Sequence, residues 1–223
     1  MNPSQVFGQL PADVARSVTD FLYSPARGAS ADRLSRWVPA GIDPTQPGPA
    51  RTLAGLLGAA DAELDPAQPL HRVALLPQPQ LSGLARRVAI DALEWALRRV
   101  VRNTELARLD EWVTEDDWHR IYQSPLTHPV TDRRLVGDID ALVDALQQRG
   151  WRLIERASEA LPRAIGLRLL LKCPLFDGAS ALAQGPGDPD EVNLVVRSYS
   201  TWIESARPDW DSALARLAAT TRG

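Results

Sequence analysis

A carboxylate–imidazole cluster is the first place to look for chemistry in this chain. Glu115 and Asp116 precede His119 by four and three residues, so on a helix all three share one face. That spacing suits a metal ion or a proton relay. Thr114-Glu115-Asp116-Asp117 reads equally as an acidic helix start beside an exposed imidazole, since carboxylates favour the positive end of the helix dipole. His128 precedes Pro129 in a loop, four residues before Asp132, and no HExxH pattern supplies paired zinc ligands. His71 stands at the edge of an apolar run. Cys173, the only cysteine, lies between Lys172 and Pro174. A lysine neighbour favours the thiolate, but a lone structural thiol is the commoner case. One cysteine also leaves no intrachain disulfide and no CxxC site. Ser82-Gly83 and Gly178-Ala179-Ser180 do not form the GxSxG nucleophile elbow. Gly185-Pro186-Gly187 is a turn, because proline lacks the amide a phosphate cradle uses. Asp138 and Asp140 resemble a paired-carboxylate motif, with Asp138 better placed as a helix cap after Gly137. These residues predict no enzyme: no catalytic set, no metal and no cofactor.

The elements around them read as helices. From Leu81 to Arg102 one long helix is apolar over more than half its circumference, through Leu84, Val88, Leu93, Trp95 and Leu97. Arg87, Asp91, Glu94 and Arg98 form a narrow polar strip, with Glu94 four residues before Arg98 in the order that favours a salt bridge. Ile139, Leu142, Val143 and Leu146 give a second helix, for which Gly150 is the expected stop. Trp151–Leu161 continues as a helix, and Pro162 starts a new turn. Val192, Val195, Val196, Tyr199, Trp202 and Ile203 make the cleanest stripe, capped by Asp188 or Asp190, and Pro208 starts a last helix bearing Trp210 and Leu214. Ile165–Cys173 fits a strand or a buried helix equally well. Pro11–Leu22 and Ser30–Val38 read as short helices. Pro39–Ala50, with four prolines, reads as a linker, and Asp61–Gln68 as a polar connector. The expected fold is all-α, a single irregular helical domain. Residues 1–70 form a proline-interrupted, loosely attached region and 71–223 the core.

Composition narrows the function classes. At 44% hydrophobic and 24% charged the chain is ordinary for a globular protein, and a net charge of −3 disfavours sequence-independent nucleic-acid binding. The first residues carry neither a basic segment nor an apolar run of a secretory signal, and no apolar run reaches a membrane span. The expected compartment is a reducing cytosol. Lys172 is the only lysine; every other basic residue is arginine.

Two features suit binding. Of seven tryptophans, Trp95, Trp151 and Trp202 fall on apolar stripes and read as core, whereas Trp37 borders the proline-rich stretch and is the best placed for a partner. Basic groups cluster at Arg86-Arg87, at Arg98, Arg99 and Arg102, and at Arg163, Arg168 and Lys172. They are solvated helix faces or docking patches for acidic partners.

Two segments resemble the SctK/YscK family, the cytosolic sorting-platform adaptors of bacterial type III secretion systems. One is Leu75–Arg102, where an L-P-Q-P-Q step leads into LARRVAIDALEWALRRVV. The other is LPRAIGLRLLLKCP, Leu161–Pro174. The resemblance implies a non-enzymatic helical adaptor that links the cytoplasmic domain of the SctD-like membrane-ring protein to an SctQ-like platform protein and thence the ATPase. Such a protein is cytoplasmic, meets the inner membrane through its partner only, and binds no nucleic acid. Arg163, Arg168, Lys172 and Trp37 are then the candidate partner-binding residues. The alternatives are a helical nucleic-acid-binding regulator using Arg98, Arg99 and Arg102, and a metal-dependent hydrolase built on Glu115, Asp116 and His119.

Overall fold

The computed structural model describes residues 10–58, 60, 63–100, 102–123, 135, 137–176 and 188–221. Among them the fold is all-α. Helix α1 spans Ala12–Tyr23, and a 3-10 turn follows at Pro25–Gly28. Then come α2 (Ala31–Leu34), α3 (Pro47–Leu57), α4 (Pro69–Leu75) and α5 (Gln78–Leu97). They are followed by α6 (Asn103–Leu109), α7 (Glu115–Gln123), α8 (Ile139–Ser158), α9 (Arg163–Lys172), α10 (Pro189–Ala206) and α11 (Pro208–Thr221). No helix among the described residues is long and apolar enough to cross a membrane.

Prolines start these helices rather than interrupt them. Pro47 and Pro49 lie in the first turn of α3, and Pro69, Pro79 and Pro189 hold the same place in α4, α5 and α10. The first turn has no intrahelical use for the missing N–H, and the fixed φ is already helical. The linker expected over Pro39–Ala50 therefore ends at Gln46, and the Pro-Gln-Pro-Gln step is the opening of α5. Polar caps appear where expected. Asp138 accepts from the Ala141 amide at 3.0 Å, and Asp188 from that of Asp190 at 3.0 Å. Thr114 and Asp117 bond each other's backbone N–H, closing the start of α7.

Helices α5 and α8, twenty residues each, run side by side through the molecule. Gly150 lies inside α8 and does not end it, contrary to the expected stop. A Cβ there would collide with the Ala85 carbonyl oxygen on α5, so glycine is what lets the two backbones touch. The core forms one cluster on each half of this pair. The larger joins Val14, Val18 and Phe21 of α1 to Leu75, Leu84, Ile154, Leu169, Val195, Tyr199 and Trp210. The smaller gathers Ile90, Leu97, Leu109, Ile121 and Leu142. A third, minor cluster packs Leu53 and Leu57 of α3 onto Leu171.

The N-terminal region is therefore no loose appendage. Val14 and Val18 are as buried as the centre of α5, because the apolar stripe of α1 fills one side of the main core. Ile165–Cys173 resolves as helix: α9 is buried on several faces, which erases the period that would have told helix from strand.

Candidate functional site

Helix α9 carries the two most unusual side chains in the protein. Arg168 and Lys172, one turn apart, share a face, and both are buried, at 3% and 5% exposure. A helix end leaves its last carbonyls without partners, at the negative end of the dipole. Arg168 answers this for two helices at once. Its Nε donates to the Phe21 carbonyl at 3.1 Å, and Nη2 to Leu22 at 3.5 Å and Ala54 at 3.4 Å. Its Nη1 donates to Leu57 at 3.4 Å and, within α9, to Ala164 at 2.9 Å. All but that of Ala164 are closing carbonyls of α1 and α3. Lys172 does the same for α4, its Nζ donating to Ala74 at 2.7 Å and Leu76 at 2.8 Å. Arg33 of α2 completes the pattern by donating to the Cys173 and Pro174 carbonyls at the end of α9.

Burial moves the titration of both neighbours. It lowers Lys172 to about 7, against the pull of Cys173 and Asp20, and pushes the Cys173 thiol up to about 12. The Lys172 ammonium also lies 5.0 Å from the centroid of the Phe21 ring.

Arg168 and Lys172 form the inner wall of a cleft of about 280 Å³. Its other walls are α1, the 3-10 turn and the start of α5. Asp20 accepts from Arg27 at 3.1 Å, Asp13 pairs with Arg207, and the Ser17 hydroxyl donates to the Leu75 carbonyl at 2.7 Å. Both acids in the cleft are thus matched by arginines, while Arg16 stands exposed and makes no ion pair among the described residues.

The expected binding residues divide. Arg163 and Trp37 are exposed. Arg168 and Lys172 are corrected: they point inward to close helix ends, and neither belongs to a docking face. The arginines that suggested a nucleic-acid surface are engaged locally, Arg98 with Glu94, Arg99 over the Trp95 ring at 3.6 Å, and Arg102 with Glu105 at 3.6 Å. Trp95, Trp151 and Trp202, expected as core, are only partly buried; Trp210 is the fully buried tryptophan. His119 and Glu115 approach to 3.9 Å on an exposed face, and no group of three metal-ligating side chains occurs among the described residues. His71 is buried, not at an edge, and its Nδ1 accepts from the Asp65 amide at 3.0 Å. His128, Asp132, the Gly178–Ser180 step and the turn at Gly185 lie outside the described residues.

A junction at Asp91 escaped the sequence. Its carboxylate accepts from Arg87 at 3.1 Å, from Arg120 of α7 at 2.6 Å and from Ser198 of α10 at 2.7 Å. Only the Arg87 contact, one helical turn away, had a local signal. No family model, curated protein or solved structure matches this chain.

Proposed function

We propose that this chain is a non-enzymatic adaptor of the SctK type, joining the cytoplasmic domain of an SctD-like ring protein to an SctQ-like platform protein at the cytosolic face of the inner membrane. One observation carries the reading. The two segments that resemble the family are bonded to each other, since Lys172 in the second donates to the Leu76 carbonyl in the first. The likeness thus falls on two parts of a single packed unit. Large exposed apolar and aromatic side chains add support. Tyr23, Trp37, Ile42 and Leu56 all lie in the segment whose inner side chains, Ala26, Leu53 and Leu57, pack on α9. An exposed tryptophan among aliphatic neighbours is the usual composition of an interaction surface.

Co-purification with the two partner proteins at low and high salt tests this. The wild type is expected to retain both, and Trp37→Ala with Arg163→Glu to weaken retention while leaving the helical circular dichroism unchanged. If neither partner binds the wild type, the adaptor reading is wrong.

A further inference from the structure

The large apolar side chains that stay exposed are not scattered. Among the described residues they are Tyr23, Trp37, Ile42, Leu56 and Tyr122. The first four lie in the α1–α3 segment, whose inner side chains Leu34, Leu53 and Leu57 pack with Leu171 of α9. Tyr122 lies on α7, stacked on Trp118 with ring centroids 5.9 Å apart. These places are opposite ends of the α5–α8 pair. Helices α1 and α9 pack with the first half of α5, and Ile121 of α7 packs with the second. Single exposed apolar groups are ordinary, but grouped ones mark contact surfaces.

The two ends also differ in charge. Residues 103–123 hold six acidic side chains against two arginines, a net −4 in a chain whose total is −3. Asp110, Glu111 and Asp116 are exposed there and make no ion pair among the described residues. Glu115, its side chain 91% exposed, meets only His119. Residues 12–57 together with α9 hold eight basic side chains against four acidic ones. With the buried Arg168 and Lys172 set aside, the basic excess is still two. Arg36, Arg51 and Arg163 are exposed at this end without an ion pair among the described residues. Arg51 and Leu56 are both exposed on α3, and Arg36 stands beside Trp37 just after α2.

We infer that this chain associates head to tail with a second copy of itself, the α7 end of one molecule seated on the outer side of α2 and α3 of the next. The carboxylates around Tyr122 then meet the arginines around Trp37 and Leu56, with the aromatic and aliphatic groups covered between them. Like ends repel, which disfavours a two-fold dimer that pairs either face with itself. Each molecule in a head-to-tail pair leaves one face of each kind unused at the ends, so the contact repeats and growth passes the dimer. This association needs no other protein and is independent of the adaptor reading.

Sedimentation of the purified full-length chain tests it. In about 0.05 M salt the average mass is expected to rise with concentration past that of a dimer, and about 0.5 M salt to weaken association about tenfold through screening. Two charge-reversal variants separate the ends. Glu111→Arg with Glu115→Arg alters the α7 end, and Arg36→Glu with Arg51→Glu alters the α2–α3 side. All four residues are exposed, so circular dichroism is expected to match the wild type. Each variant alone is expected to sediment as a monomer, and an equal mixture of the two to associate again, because each supplies a face that complements the other. A wild type that stays monomeric, a mass that levels off at the dimer, a variant that associates alone as the wild type does, or a mixture that stays monomeric would each overturn the proposal.

Discussion

The two ends of the α5–α8 pair bury charge to different degrees. Around α9 the cations are inside: Arg168 and Lys172 donate to carbonyls that close α1, α3 and α4. Around α6 and α7, apart from the Asp91 junction, the charged pairs lie outward. Arg108 pairs with Asp140 across side chains 51% and 73% exposed, and His119 faces Glu115 in the open. The α9 end must bury three helix C-termini, and their orphan carbonyls need donors that water cannot supply. At the α6–α7 end an apolar cluster is accompanied by partly buried polar contacts, Arg86 on the Trp112 carbonyl and Arg120 on Asp91. Charge at one end is therefore fully buried and structural; at the other it grades from the partly buried Asp91 junction to solvated pairs of little energetic weight.

The largest effect expected from this contrast comes from removing residues 1–68. That deletion strips Val14, Val18, Phe21, Leu53 and Leu57 from the core and leaves Arg168 facing an apolar hole. The truncated chain is expected to lose its cooperative thermal transition by circular dichroism. A sharp melt near the wild-type temperature would mean that the α1–α9 contacts carry no stability.

Next in size is Arg168→Met, which keeps much of the volume and removes every donor. Leaving buried carbonyls of two helices without partners costs roughly 3–5 kcal/mol, at one to three per orphaned group with partial relaxation. Urea denaturation measures it, with Arg163→Met as the control on the exposed face of the same helix, expected within about 0.5 kcal/mol of wild type. Similar losses for the two variants would erase the distinction between buried and exposed arginines on α9.

What was legible in the sequence follows the same division. The stripe of α8, the caps Asp138 and Asp188, the start of α7 and the buried face of α11 were all readable, because each is written within a turn or two of itself. The role of Arg168 was not. Its acceptors lie more than a hundred residues away at Phe21 and Leu57, and inside an apolar run a buried cation looks the same as a charged surface interruption. Gly150 misled for a related reason. A glycine after an amphipathic run signals a helix end, and only the approach of Ala85 from another helix gives it the opposite meaning. Prolines at Pro47 and Pro79 misled in turn, because the residue that breaks a helix interior also suits its first turn.

A smaller effect is expected from pH. Unfolded, Lys172 keeps its proton to about 10.5; folded, it gives the proton up near about 7. Between these values the unfolded chain binds more protons, so stability rises with pH, by up to about 1.4 kcal/mol per unit. Above pH 9.0 the unfolded Cys173 thiol ionises while the folded one stays protonated to about 12, which works in the opposite direction. Urea midpoints are therefore expected to climb from pH 7 to 9 and then level off, and Lys172→Met to flatten the climb. A wild-type midpoint that is constant from pH 7 to 9 would contradict the burial of a charged amine at this end of the fold.

The smallest effects separate two ion pairs of the same kind. Arg33 and Glu155 face each other with side chains only 15% and 17% exposed, and Arg33 is held further by the Cys173 and Pro174 carbonyls. Arg108 and Asp140 meet in solvent. Fixing a long side chain costs entropy in both cases, but the first arginine is already ordered by its backbone acceptors and is screened less by salt. Double-mutant cycles are expected to give a coupling of about 1–2 kcal/mol for Arg33–Glu155 that survives high salt. For Arg108–Asp140 the expected coupling is below about 0.5 kcal/mol, and salt should abolish it. The ranking matters more than either value. A stronger coupling for the exposed pair would mean that burial does not decide where charge stabilises this fold, and the account of α9 as an internal cap would lose its basis.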